Sequence, residues 1–355
     1  MYLVIGFIAV ALFFYLWGRR SSKPASIEIS EDFLPPIDEM PRKPRVQRAR
    51  KRQPFNPDDV EVNDEFREAI SAINDRREPC FITGAAGTGK STLLRYLRAK
   101  SSRNMVVLAP TGVAAVNVEG QTIHSFFKLP PRLIDLKSLR RLRDSLLMKK
   151  LDLLIIDEVS MVRADLLDAV DHSLRINRGK LDELFGGVQV VLFGDVYQLP
   201  PIVDADTQEY FDHNYGGVAF FFGAKVFSKI RFRTIELLKP YRQSDPEFLA
   251  LLNRIRQGSI GDADLSAVNQ RTGSALQHPY ITLTTTNATA DARNQQELSA
   301  LHGREYTYTA TVSGKFEQKS FPTDTELHLK VGATVMILRN DAEKRWVLRD
   351  AVLEC

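Results

Sequence analysis

The chain has 355 residues, 44% of them hydrophobic, and a formal net charge of only +4. That length and apolar share suffice for two domains of ordinary size, each with its own core, and exclude a disordered protein. Its two cysteines, Cys80 and Cys355, have no partners at metal-ligand spacing, which argues against both a disulfide framework and a zinc site.

The first predicted element is an uncharged apolar run, Tyr2 to Trp17, followed by Arg19, Arg20 and Lys23. It lies near the short end of what spans a bilayer as a helix, and no positive region precedes it as in a cleaved signal peptide. Residues 1–18 are therefore expected to form a single-pass anchor in the inner (cytoplasmic) membrane, with the basic cluster keeping the rest of the chain in the cytoplasm. Residues 19–60 read as a flexible tether rich in Pro, Ser and charge. Within it, Arg42, Lys43, Arg45, Arg48, Arg50, Lys51 and Arg52 form a basic run that suits a solvated linker, anionic lipid or nucleic acid.

Beyond the tether the apolar pattern alternates between helix and strand. Phe66, Ala69, Ile70 and Ile73 recur at helical spacing, and 80–83 reads as a strand. A helix over 91–100, a strand over 105–109 and a helix over 112–118 follow. After them come an apolar strand over 151–156, a helix over 164–176 and another apolar strand over 188–193. Unbroken apolar strands separated by helices predict an α/β fold whose parallel sheet is covered on both faces. Ligands of such sheets bind at the carboxyl ends of the strands.

Chemistry-bearing residues fall at those ends. Gly84, Ala85, Ala86, Gly87, Thr88, Gly89, Lys90, Ser91 and Thr92 make a G-x-x-x-x-G-K-S loop between strand and helix, a phosphate cradle. Its backbone N–H groups and the helix start face the phosphates, Lys90 adds a mobile charge, and the Ser91 hydroxyl suits Mg²⁺. Asp157 and Glu158 arrive together at the end of the 151–156 strand, where an Asp can hold Mg²⁺ and a Glu can deprotonate the attacking water. Gln198 follows the 188–193 strand; neutral, with donor and acceptor, it can sense a γ-phosphate or water, although a structural turn fits its spacing equally well.

These segments, with Ala109-Pro110-Thr111-Gly112-Val113-Ala114-Ala115 and Thr122-Ile123-His124-Ser125-Phe126, resemble the Pif-type DNA helicases, a superfamily-one branch related to RecD helicases. The resemblance runs from about Val62 to Val347. It implies a first RecA-like P-loop NTPase domain at 61–231 and a partial second RecA-like domain with an inserted β element at 232–355. It further implies a monomeric, five-prime-to-three-prime motor that hydrolyses ATP with Mg²⁺ to unwind duplex DNA in genome maintenance. By the same resemblance Gln198 couples the γ-phosphate to DNA, and Arg242 reaches the phosphates across from the second domain. Pro110, Thr111, Gly112, Thr122, His124 and Phe126 match the family's segments that contact single-stranded DNA, the ring by stacking on a base, although His124 equally fits a satisfied histidine at a helix start and Phe126, with Phe127, fits a core position. A basic helix between Lys128 and Lys150 is expected to steer DNA or to be a solvated face.

Two departures stand out. Phe66 occupies the place where many relatives carry an adenine-reading glutamine, and Leu348-Arg349-Asp350-Ala351 replaces an expected Asn-Gly continuation before Cys355. The second departure suggests a truncated or frameshifted reading. Rival readings are a membrane-anchored AAA-type remodeller and a non-catalytic DNA-binding remnant.

Overall fold

The computed structural model describes residues 3–6, 55–270, 272, 281–310, 323–335 and 353–354. They belong to two compact units, one of residues 55–272 and the other drawn from 1–54 and 273–355.

In the second of these, Leu3–Gly6 form a strand (β1). This corrects the expected membrane helix over 1–18 at these four positions. A short apolar run with β-branched Val4 and Ile5 satisfies strand and helix patterns alike, and pairing decides between them. Residues 7–18 and the tether to 54 lie outside the described residues. Among the described residues, no helix is long and apolar enough to cross a membrane.

Residues 55–272 are organised around one sheet. Helix α1 (Asp64–Ile70) is N-capped by Asn63, whose side chain accepts from the Phe66 amide. It leads to β2 (Cys80–Gly84), α2 (Lys90–Lys100), β3 (Met105–Ala109), α3 (Gly112–Asn117), β4 (Gln121–Thr122) and α4 (Ile123–Phe127). Next come α5 (Leu146–Lys150), β5 (Leu153–Ile156), α6 (Ala164–Arg178), β6 (Gln189–Phe193), α7 (Ala205–Tyr215) and β7 (Arg233–Leu237). Helices α8 (Pro246–Gln257) and α9 (Asp262–Asn269) complete the unit. The six strands lie in the order β4-β3-β5-β6-β2-β7 and every pairing is parallel.

Alternation explains why the strands read as unbroken apolar runs. Leu154 and Ile156 of β5 and Val190 and Leu192 of β6 enter the core on one face, with Phe126, Phe127, Leu167 and Phe221. Leu153, Ile155, Val191 and Phe193 enter the core on the other, with Phe66, Leu93, Leu94 and Leu97. A strand covered on both sides has no solvent-facing position to mark with a polar residue. The boundary expected at 231/232 shifts accordingly: β7 pairs with β2 from Cys80↔Arg233 to Gly84↔Leu237 and completes the first sheet.

Helix α6 carries three buried aspartates at i, i+3 and i+6, all spent on anchoring loops. Asp165 accepts from Arg163 Nε (2.8 Å) and the Ile134 amide (3.2 Å). Asp168 takes the Lys225 and Val226 amides, and Asp171 accepts from the Phe185 amide and Arg175 Nε. Asn177 adds an anchor through the Leu142 amide. The stretch 128–150 is thus tied to α6 at Ile134 and Leu142, and its helical parts are a 3-10 turn (Leu136–Ser138) and α5. One continuous basic helix there is not what forms, because backbone amides committed to α6 side chains cannot close a helical ladder. Asp165→Ala leaves the Arg163 charge without its partner and should lower stability by about 3–5 kcal/mol, read by denaturant unfolding.

In the other unit, β1 pairs in parallel with β8 (Ile281–Thr284). Helix α10 (Asn287–Ala300) is capped by Thr286. β9 (Glu305–Thr309) and β10 (Glu326–Lys330) pair antiparallel, at the place in sequence where an inserted β element is expected. β11 (Thr334–Val335) pairs with β12 (Leu353–Glu354). The Leu348–Ala351 departure and Cys355 lie outside the described residues.

Candidate active site

The ends of β2, β5 and β6 that carry the sequence motifs are neighbours in the sheet. From β2 the chain turns through Gly84 to Gly89 into α2. Gly84 has φ +142°, and a Cβ there would stand 2.4 Å from the Leu237 carbonyl oxygen of the adjacent strand. Only a glycine lets the loop leave the sheet so close to β7. Thr88 is buried and closes the loop internally, its hydroxyl donating to the Ala85 carbonyl at 2.9 Å. Gly89 is the N-cap of α2 with no side-chain hydrogen bond, so no capping side chain covers the first-turn N–H groups. Those groups and the positive helix end suit an anion. Ala86, Ser91 and Thr92 are exposed on this turn.

Lys90 folds back over the loop, its ammonium donating to the Gly84 and Ala85 carbonyls at 2.6 and 3.0 Å. Burial pulls its pKa below the usual lysine value, against the opposing fields of Asp195, Glu158 and Asp157. The three strand ends therefore act on one lysine. Asp157, 7% exposed, is pushed up to about 6 by burial and by the neighbouring Glu158. Such a carboxyl is costly to keep charged and gains from a cation beside it. Glu158 sits in the left-handed region at φ +51°, ψ +44°, rare for a residue with a Cβ. That conformation turns the chain sharply after β5.

Past β6, Gln198 is exposed and donates its Nε2 to Asp195 at 3.1 Å. Burial alone would raise the Asp195 carboxyl, but hydrogen bonds from Arg256, Gln198 and the Tyr197 amide outweigh it and hold the group below its ordinary value. Asp195 and Arg256 are the members of this cluster to which the motifs assign no role. The acid is legible as a polar residue at a strand end, whereas Arg256 sits 61 residues later in a helix with no such signal.

The segment after β7 lies over the phosphate loop. The Tyr241 amide donates to the Gly87 carbonyl at 2.8 Å. A Cβ on Gly87 (φ +86°) would stand 2.8 Å from the Arg242 Cβ, so the arginine approaches the loop at a distance only glycine permits. Arg242 thus belongs to the same compact unit as the phosphate loop rather than to a second one, because β7 joins the first sheet and carries it there. The strap is pinned to the start of α1: Leu238 N–H donates to Glu65, Lys239 pairs with Glu61 at 2.6 Å, and Asn63 donates to the Tyr241 hydroxyl at 3.3 Å. Phe66, 1% exposed, lies under the turn and presents no hydrogen-bonding group.

The residues expected to touch DNA divide. Thr111 follows the end of β3, and Thr122 is the last residue of β4, where it pairs with Ala109. Each hydroxyl caps a short helix, accepting from Ala114 and Ser125 at 3.2 Å. Pro110 and Gly112, partly exposed, flank Thr111. Phe126 does not present a stacking face: it is 7% exposed and meets Phe127 edge-on, the ring centroids 4.8 Å apart. An aromatic at that spacing serves the core because α4 lies against β3 and α6. Burial, with Arg163 adding repulsion, pushes His124 down to about 4, so at neutral pH it offers hydrogen bonding without charge.

That shift has a stability consequence. Above pH 6.5 the histidine is neutral folded or unfolded; between 6.5 and 4 only the unfolded chain takes the proton. Stability contributed by neutral His124 is therefore lost as pH falls through this window, by about 2–3 kcal/mol at pH ~4. Unfolding curves of wild type and His124→Gln should converge on acidification, the wild type falling more steeply.

The PIF1-like helicase family model matches residues 59–265, more than half the chain and all of this cluster. The chain belongs to the PIF1-like helicases. It is 31% identical over 299 residues to the ATP-dependent DNA helicase PIF1 of Emericella nidulans, covering 77% of this chain and 39% of that protein. With the ATP-dependent DNA helicase Pif1 of Bdellovibrio bacteriovorus it shares 31% identity over 302 residues, 81% of this chain and 66% of that one. A Pif1 helicase from Bacteroides, solved in complex with ADP-AlF3 and single-stranded DNA, superposes with a TM-score of 0.73. That structure is 38% identical, over 81% of this chain and 68% of its own. This PIF1-like chain thus spans well under half the length of its fungal relative.

Proposed function

We propose that this chain is the ATP-hydrolysing motor of a DNA helicase, translocating five-prime-to-three-prime on single-stranded DNA and unwinding duplex. The observation that carries the reading is that the Lys90 loop, Asp157-Glu158 and Asp195 follow the ends of the neighbouring parallel strands β2, β5 and β6, with Gln198 tied to Asp195. Family membership supports DNA as the track on which ATP is spent.

In this reading the loop Gly84–Thr92 binds the nucleotide phosphates, and Lys90 exchanges its two carbonyl partners for phosphate oxygens. Ser91 and Asp157 fit Mg²⁺: one hydroxyl is exposed at the helix start, and one buried carboxyl needs a cation to hold its charge. Bound there, the ion would neutralise charge on the β- and γ-phosphates. Glu158 takes a proton from the attacking water, and Gln198, its Nε2 committed to Asp195, offers Oε1 to that water. Arg242, beside Gly87, stabilises charge on the transferring phosphoryl group. Thr111 and Thr122, at the sheet edge with Pro110 and Gly112, grip the DNA backbone, and His124 adds an uncharged hydrogen bond.

ATP hydrolysis by the purified chain, measured with and without single-stranded DNA, tests the reading. Turnover that rises with DNA is the expected result. DNA-independent turnover would favour a remodelling ATPase, and nucleotide binding without turnover a DNA-binding remnant.

A further inference from the structure

Asp195 is 1% exposed, yet the cation that neutralises it comes from a helix remote in sequence. Arg256, in the last turn of α8, grips both carboxylate oxygens: Nε lies 3.1 and 2.9 Å from Oδ1 and Oδ2, and Nη2 lies 2.9 Å from Oδ1. The same carboxylate accepts from the Tyr197 amide at 3.2 Å and from Gln198 Nε2 at 3.1 Å, while the Gln198 amide donates to the Asp195 carbonyl at 2.9 Å. The Arg256 guanidinium also lies 4.4 Å from the centre of the Tyr197 ring. Both backbone amides of the turn Tyr197–Gln198 and the Gln198 side chain therefore end on Asp195. Arg256 holds that acid from one side while covering the turn from the other.

Gln198 itself is exposed, so packing does not select its rotamer. An exposed glutamine that must present one oxygen to a water needs its amide fixed by hydrogen bonding. We propose that Arg256 is a positioning residue for hydrolysis: by clamping Asp195 it fixes Gln198 and ties the γ-phosphate side of the site to helix α8. A lysine would not replace it, since one ammonium cannot span both oxygens and lie flat on a tyrosine ring. The inference rests on the hydrolytic reading above but has a consequence that needs no turnover.

Amide exchange by mass spectrometry on the nucleotide-free full chain reads the clamp directly. In Arg256→Ala the Tyr197 and Gln198 amides should exchange at least about tenfold faster while those of β6 keep their protection. Steady-state ATP hydrolysis on DNA, for Arg256→Ala, Arg256→Lys, Gln198→Ala and the Arg256→Ala/Gln198→Ala pair, reads its use. Arg256→Ala should lower kcat about tenfold with KM for ATP within about threefold, and the pair should be no slower than Gln198→Ala alone. Arg256→Lys should fall between wild type and Ala. If Arg256→Ala does not unfold cooperatively, Arg256→Lys, alone and with Gln198→Ala, supplies both readouts. Unchanged exchange at 197–198, or kcat losses that multiply in the pair, would overturn the clamp. A wild type without turnover would overturn the hydrolytic reading while the exchange result still judged the arrangement.

Discussion

Glu158→Gln is expected to remove ATP turnover while leaving nucleotide binding in place. The substitution is nearly isosteric, leaves Lys90 and the loop untouched, and takes away only the group able to accept the proton of the attacking water. Loss of a positioned base costs about 10²–10⁴ in rate, so DNA-stimulated hydrolysis should fall by that factor, with the affinity for a fluorescent nucleotide within about twofold. A binding constant that collapses together with the rate would assign Glu158 to ground-state binding instead. Backbone strain supplies an independent check: Glu158 holds φ +51°, which costs a residue with a Cβ about 1–2 kcal/mol. Glu158→Gly should therefore be as inactive as Glu158→Gln and more stable by about 1 kcal/mol, visible in a denaturant midpoint. Together the two results would mark Glu158 as a position where stability is given up for the proposed base.

The second large effect is expected at Gly84. A methyl group there would lie 2.4 Å from the Leu237 carbonyl oxygen and 2.8 Å from the Thr88 hydroxyl, in a backbone conformation with φ +142° that L residues avoid. Neither neighbour can yield: Gly84 pairs in register with Leu237, and Thr88 is buried and bonded to Ala85. Gly84→Ala should push β7 off β2 and lower stability by about 3 kcal/mol or more, a melting temperature about 6–12 °C lower for a unit of this size. Because β7 carries Tyr241 and Arg242 to the loop, nucleotide affinity should drop even in the fraction that stays folded. An alanine variant with wild-type melting and nucleotide binding would show that the close approach of β7 is dispensable.

Much of the site is legible in the sequence. The G-x-x-x-x-G-K-S loop, Asp157-Glu158 and Gln198 each come after an apolar strand, and local pattern suffices where a short-range turn does the work. Thr111 and Thr122 also cap helices, a use that the structure adds to the strand contact implied by the resemblance. Sequence reading fails where burial decides. Phe126 looks identical in sequence whether it faces a base or a core, and packing against Phe127 and α6 settles it. The basic stretch 128–150 reads as a helix face until Asp165 and Asn177 claim its amides.

Strand topology is the other blind spot. Nothing local to 233–237 says that this strand joins β2 at the sheet edge, and the family resemblance places the domain boundary ahead of it and Arg242 on a second domain. Arg256 is invisible for a related reason, since a cation at a helix end is ordinary until the fold sets it against a buried acid. The apolar start of the chain illustrates the limit from the other side: Leu3–Gly6 fit either period, and pairing with Ile281–Thr284 selects the strand.

By itself, the amino-acid sequence determined where chemistry-bearing residues fall: a glycine-rich Lys-Ser loop, an acid pair and a glutamine just past the carboxyl ends of buried strands. Local turn geometry and the two-faced apolar period are written in neighbouring residues. Only the tertiary structure decided which groups act on one another, because the Coulomb field on Lys90, the grip of Arg256 on Asp195 and the approach of Arg242 to Gly87 join strands and helices far apart in the chain. Such contacts depend on distance and burial, and the fold alone sets both.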